Sequence, residues 1–221
     1  MIKRSDSLEY ENFYKDEGVT VNFSTPCNGT AHEKTLTILG IEKTEKAMLF
    51  STVTGTTLKR LCKRLTDTMK IDLPDRGVAV AVPLSGIGGS RALGYLTEGQ
   101  EFTKEGEEFI MESSHELIVA IYEKGYTKFV MDAARDAGAG GGTTIHAKGT
   151  GAGSEKFFGM SIAEEKEMVF IVSHTDKKKD IMSAIMNKAG IDSKAHAVVF
   201  SLPVAATAGF RFADTVSKDA E

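Results

Sequence analysis

From residue 116 onward the apolar and polar positions fall into six runs. Residues 116–123 (ELIVAIYE) form a continuous apolar stretch of strand length, bounded by charge. The next run predicts a helix over 126–137, with Phe129, Val130, Ala133, Ala134 and Ala137 on one face at spacings of three and four. A glycine cluster over 138–142 stops that helix, because glycine tolerates the left-handed conformation of a C-terminal cap. A strand over 143–147 follows, then a loop of small residues over 148–154 and a second apolar strand over 168–173. A helix over 176–189 presents Ile181, Ile185 and Ala189 one turn apart. A last strand covers 197–204.

The same grammar occurs earlier in the chain. Gly18 matches Gly138, Gly29 and Thr30 match Gly149 and Thr150, and Glu45 and Lys46 match Glu165 and Lys166. Met48 and Phe50 match Met168 and Phe170, Ile71 and Asp72 match Ile191 and Asp192, and Pro83 matches Pro203. Gly89 and Arg91 match Gly209 and Arg211, and in every pair the numbers differ by 120. One constant offset across so many pairs is the mark of an internal duplication. The expected organisation is a unit over 1–91, an inter-copy segment over 92–113, a second unit over 114–213 and a tail over 214–221. The βαββαβ order predicts an α+β fold of tandem ferredoxin-like units, each an antiparallel four-stranded sheet with its helices on one face. The first copy keeps only Met1, Ile2 and Lys3 of its opening strand, so a substitute from 92–113 or from a partner chain is expected. The strands are apolar on both sides, and the face without helices needs a partner, which predicts packing of copy on copy or a homo-oligomer.

Charge and composition narrow the function. The chain has 221 residues and a formal net charge of −4, with acids and bases interspersed. This argues against nucleic acid as the main partner, since phosphate binding wants a basic surface. The basic run Lys177, Lys178 and Lys179 reads as the solvated first turn of a helix. No apolar run approaches the ~20 residues of a membrane span. No apolar segment follows the basic start, so no secretory leader is expected. The two cysteines, Cys27 and Cys62, then read as thiols in a reducing, cytoplasmic setting.

Candidate chemistry is sparse. The loop Lys148, Gly149, Thr150 and Gly151 could approach a phosphate, because glycines expose backbone N–H groups. It is not a Walker motif. Arg91 and Arg211 recur between copies, and an arginine can donate two bonds at once to a phosphate. Lys46 and Lys166 also recur but read as solvated strand-edge lysines. His146 reads as a structural histidine, while His115, His174 and His196 are scattered without metal-ligand spacing, so no metal site is expected. No carboxylate pair or activated nucleophile stands out, so no catalytic residue is assigned.

The ordered set of segments resembles the P-II signal-transduction family. The run 141–151 (GGTTIHAKGTG) is similar to that family's second strand and loop entry. Phe157, Phe158 and Gly159, then residues 165–169 (EKEMV), resemble the return from its T-loop into the third strand. Residues 200–204 (FSLPV) resemble its last strand, and Arg211 falls where its C-terminal loop carries an arginine. The resemblance implies trimers, an adenine nucleotide (ATP, ADP or AMP) in inter-domain clefts, 2-oxoglutarate with Mg²⁺ beside it, and a mobile loop that engages a target protein. It implies regulation of nitrogen-related enzymes or transporters rather than catalysis. It places Gly141, Gly142 and Thr143 on the adenine side and Arg211, with its mate Arg91, on phosphate. The sequence departs from the family where the loop reads Ala152 and Gly153 instead of Arg-Gln, and where the lysine before the last strand is absent from both copies. These departures argue against 2-oxoglutarate and for a nucleotide bound without it, or another small ligand. The alternatives are a small enzyme on a ferredoxin-like scaffold, since fold does not dictate function, and a structural or metal-responsive trimer.

Overall fold

A computed structural model describes residues 1–30, 45–84, 86–87, 90–101, 114–148, 156–157, 160–161 and 165–209. In chain order its elements are β1 (Ile2–Lys3), α1 (Ser7–Asp16), β2 (Asn22–Gly29), β3 (Lys46–Ser51), α2 (Gly55–Asp67), β4 (Ala79–Ala81) and α3 (Ser90–Leu96). Then come β5 (His115–Glu123), α4 (Thr127–Asp136), β6 (Thr143–Lys148), β7 (Lys156–Phe157), β8 (Met160–Ser161) and β9 (Glu165–His174). The last are α5 (Lys178–Ala189), β10 (Val198–Pro203) and β11 (Ala206–Ala208). Two compact units emerge: one comprises Met1–Pro26, Thr44–Glu112 and Val204–Glu221, the other Cys27–Lys43 and Ser113–Pro203.

The second of these units has the ferredoxin-like arrangement. Its strand order is β6-β9-β5-β10, with the end of β2 added beside β6. Every pairing is antiparallel, in a register that sets Ile118 opposite Ile171 and Val119 opposite both Phe170 and Phe200. Alternation along a strand sends Ile118, Ala120 and Tyr122 of β5 and Val169 and Ile171 of β9 to one face. There they pack with Val130, Met131 and Ala134 of α4 and Ile181, Ile185 and Ala189 of α5 in one buried cluster. Phe129, expected on the buried face of α4, is 38% exposed, and Met131 takes the core position instead. The helix ends as its glycines predict. Gly138, at φ +96°, donates to Arg135 O at 2.8 Å, and Ala139 N donates to Ala134 O at 3.0 Å.

The opposite sheet face carries Leu117, Val119 and Ile121, Met168, Phe170 and Val172, and Val198, Phe200 and Leu202, which oppose one another across the strands. The three residues from the edge strand β10 remain 37%, 40% and 36% exposed. Large apolar side chains left open in a row on a sheet are the feature that needs a partner.

The first unit repeats the pattern in reduced form. Strand β1 is two residues long, and pairs Ile2 with Ala47 and Lys3 with Lys46. Its core gathers Ile2, Tyr10, Phe13, Ala47, Leu61, Leu65, Met69, Ile71 and Ala208. Just ahead of β4, Ile2 bridges to Gly77, and Met1 and Val78 exchange main-chain hydrogen bonds at 2.7 and 2.8 Å. The inter-copy segment does not supply a strand among its described residues, since Ser90–Leu96 is helical. Instead β11, from the far end of the sequence, pairs antiparallel with β4 and places Ala208 opposite Ala79. Gly209 follows at φ +86°, where a Cβ would overlap the Gly77 carbonyl oxygen. That close approach explains the glycine there.

Candidate functional site

The expected effector residues centre on the turn from α4 into β6. Gly141 and Gly142 lead directly into Thr143, the first residue of β6, which is buried and opposite Phe170. The two glycines are not equivalent. A Cβ on Gly141 would meet nothing within 4 Å, whereas one on Gly142 would lie 2.8 Å from Val169 Cγ2 and 3.1 Å from the Phe170 carbonyl oxygen. Gly142 is also tied into the structure by Thr30. Thr30 N donates to Gly142 O at 2.9 Å, and Gly142 N donates to Thr30 Oγ1 at 2.7 Å. The Arg135 guanidinium donates to the Thr30 carbonyl, so a helix side chain anchors the same junction. Both main-chain polar groups of Gly142 are thus used in joining segment 27–30 to β6, which a sequence reading of local motifs does not reveal.

Lys148 closes β6, opposite Glu165. Gly149, Thr150, Gly151 and Arg211 lie outside the described residues, as do Ala152 and Gly153. Arg91 is exposed on α3, in the other compact unit from Gly141, Gly142 and Thr143. Farther along the chain β7 and β8 pair antiparallel, Lys156 opposite Ser161 and Phe157 opposite Met160.

The recurrent lysines are not solvated edge residues. Lys166 has a side chain only 7% exposed and is ion-paired with Glu123, its direct partner across β5 and β9. Lys46 lies opposite Lys3, a like-charge pair that would repel. Asp75 resolves this by binding both, Lys46 Nζ at 2.6 Å and Lys3 Nζ at 2.6 Å. Burial alone would raise the Asp75 carboxyl, but hydrogen bonds from Lys3 and Lys46 outweigh it and hold it below the ordinary carboxylate value.

A polar network covers the outer end of β6. Glu167 Oε2 accepts from Thr127 Oγ1 at 2.6 Å and from Gly125 N at 3.1 Å. Thr127 Oγ1 also bonds the Tyr122 hydroxyl at 3.0 Å. Burial pushes that hydroxyl up to about 12, so it stays neutral. His146, directly opposite Glu167, is 3.8 Å from its carboxylate, beyond hydrogen-bond reach. The carboxylate is therefore committed to fixing the start of α4.

Strand register also joins two histidines that looked scattered. His115 and His174 are partners across β5 and β9, with ring centroids 4.5 Å apart. Among the described residues no group of three or more His, Cys, Asp or Glu could hold a metal ion. Both cysteines are thiols, and burial raises the Cys62 pKa. No helix among the described residues is long and apolar enough to cross a membrane.

The second unit is thus defined as a ferredoxin-like α+β domain with a glycine-rich entry into β6. Residues 115–213 match the model of the family described as Nitrogen regulatory protein P-II. No curated protein matches the chain. Among solved structures, that of the PII protein of Arabidopsis thaliana bound to citrate matches at 22% identity, covering 43% of this chain and 79% of that one, with a TM-score of 0.33.

Proposed function

We propose that the protein is a non-catalytic P-II-type regulator, built as a tandem of P-II-like units, that binds a small effector and modulates a partner protein in the cytoplasm. The observation that carries this reading is the family match over 115–213, which spans the glycine-rich entry, the loop after β6 and the last strand together. An adenine nucleotide is the favoured effector. Gly141 offers an unobstructed backbone, and the glycine-rich sequence Lys148, Gly149, Thr150 and Gly151 would supply N–H groups of the kind that cradle phosphate. Arg211 and Arg91 would add bidentate donors. Thr143 and Gly142 would shape the adenine side from the strand they anchor. The commitment of Glu167 to Thr127 and Gly125 fits a binding role better than acid–base chemistry.

A thermal-shift series with ATP, ADP, AMP, cyclic nucleotides and 2-oxoglutarate tests the reading. A ligand at 100 times its Kd stabilises by about 2.7 kcal/mol, which is a clear displacement of Tm. At least one adenine nucleotide is expected to raise Tm, 2-oxoglutarate alone is not, and Arg211→Ala is expected to shrink the nucleotide shift. Failure of every nucleotide to move Tm overturns the ligand class.

A further inference from the structure

We propose that the outer edge of β10 takes up a strand from a second copy of this chain, built on Gly86 and Ile87, in the register that β11 adopts on β4. The internal duplication carries the argument. Strand β4, with Val78 just ahead of it, is paired on both sides. On one side Met1 N donates to Val78 O at 2.7 Å and Val78 N donates to Met1 O at 2.8 Å. On the other, Ala206 lies opposite Ala81 and Thr207 opposite Val80, and Ala205 N donates to Ala81 O at 2.8 Å. An offset of 120 carries Met1 and Val78 to Ile121 and Val198, which are partners in the β5–β10 ladder. The first pairing is therefore present in both copies. The second is not, since among the described residues β10 ends its sheet with β5 as its sole neighbour. The same offset names the missing strand, because it carries Ala206 and Thr207 back to Gly86 and Ile87. These two residues belong to no strand of their own chain, which leaves the equivalent pairing to a second copy.

The edge is shaped for such a strand. Met1 and Val78 exchange both bonds, so the main-chain groups of Val78 face β1 and those of Ala79 and Ala81 face β11. The same alternation in β10 turns Val199 and Ser201 outward, away from β5. Pro203 falls in that outward set, as Pro83 does in the first copy. A sheet accepts proline at an edge, where the N–H it lacks faces away from the existing ladder. The added strand therefore starts at Ser201, as β11 starts at Ala81. In the β11 register Gly86 lies opposite Ser201 and Ile87 opposite Phe200. Phe200 is 40% exposed, and direct cross-strand partners share a face, so Ile87 covers it. An open edge with apolar side chains beside it is a template for strand addition. Gly86 is exposed, and a Cβ there would meet nothing within 4 Å, so its backbone is accessible to a neighbour. Each chain carries both the edge and the strand, so the contact closes on itself as a dimer or a ring.

Light scattering over a dilution series of the intact chain tests the pairing, with far-ultraviolet dichroism as the check on folding. The wild type is expected to be a multimer. Gly86→Pro takes away the N–H that faces Ser201 and changes no apolar side chain on the helix-free sheet face. It is expected to raise the concentration at which the multimer dissociates by at least tenfold, with the dichroism unchanged. Gly86→Ala keeps that N–H and matches Ala206 of β11, so it is expected to dissociate as the wild type does. A second readout does not depend on loss of assembly. A chain carrying both Ile87→Cys and Phe200→Cys, mildly oxidised, is expected to give covalently linked chains and an 87–200 disulfide peptide by mass spectrometry, which neither single variant gives. The cross-link decides where Gly86→Pro alters the dichroism. The proposal is overturned by a wild type of single-chain mass, by a folded Gly86→Pro variant that dissociates as the wild type does, or by an 87–200 link that is absent or lies within one chain.

Discussion

At the scale of single residues, Gly142 shows how the candidate site is held. Its neighbours, Val169 Cγ2 at 2.8 Å and the Phe170 carbonyl at 3.1 Å from a would-be Cβ, leave no room for a side chain. Val169 is itself fully buried, so it cannot yield without disturbing the core. Gly142→Ala is expected to cost about 1–3 kcal/mol, as overpacking does, and to lower the urea midpoint. Gly141→Ala, with open space around it and no positive φ, should leave the midpoint unchanged or slightly higher. Equal losses at both positions would contradict the assignment of Gly142 to packing. The sequence singled out these two glycines as candidate effector residues, and Lys46 and Lys166 as recurring positions, but not what each does. Burial of Lys166 depends on Glu123 across the strand, and the repeat mate of Glu123 is Lys3. The same lysine therefore needs a different counter-ion in each copy, and Asp75 comes from a turn that no local spacing connects to it.

At the scale of elements, periodicity placed the buried face of α5 correctly, while on α4 it set Phe129 where Met131 is buried. Ile181, Ile185 and Ala189 are fully buried as their spacing requires. What periodicity could not supply was pairing between distant segments. The union of β11 with β4, the junction of Thr30 with Gly142 and the meeting of His115 with His174 all depend on strand register. The pairing of β1 with β3 makes a prediction of its own. Lys3 and Lys46 face each other and are held by Asp75, whose folded pKa lies below its unfolded value. Such a group contributes stability that is present above the unfolded value, about 3.9, and is lost as pH falls toward the folded one. Asp75→Asn should lower Tm at neutral pH and flatten the fall of Tm between about pH 4 and 2. Asparagine suits this control because it tolerates the left-handed conformation that Asp75 adopts, φ +63°. An unchanged acid slope in the variant would show that the three-charge cluster does not set it.

At the scale of the whole molecule, the helix-free sheet face of the second unit is expected to carry the assembly. Its centre, Leu117 and Val119, is buried within the chain, yet Val198, Phe200 and Leu202 on the edge strand present a third or more of their surface to solvent. They lie on the same face as Phe170 and Val172, so the exposed row continues an apolar surface rather than standing alone. Burial of such a surface against another copy is favoured at roughly 25 cal/mol per Å². A trimer, the assembly expected for a P-II-type regulator, would use this surface, and a closed cyclic assembly avoids open-ended fibres. Light scattering is therefore expected to give a mass three times that of the single chain. The double substitution Phe200→Glu with Leu202→Glu introduces charge into that face while leaving the helix-side core, built on Ile118, Ile171, Ile181 and Ile185, untouched. The variant is expected to keep its far-ultraviolet dichroism and fall to the mass of one chain. A wild type that is already a single chain, or a doubly substituted chain that keeps its mass, would show that this face is not the one through which the protein assembles.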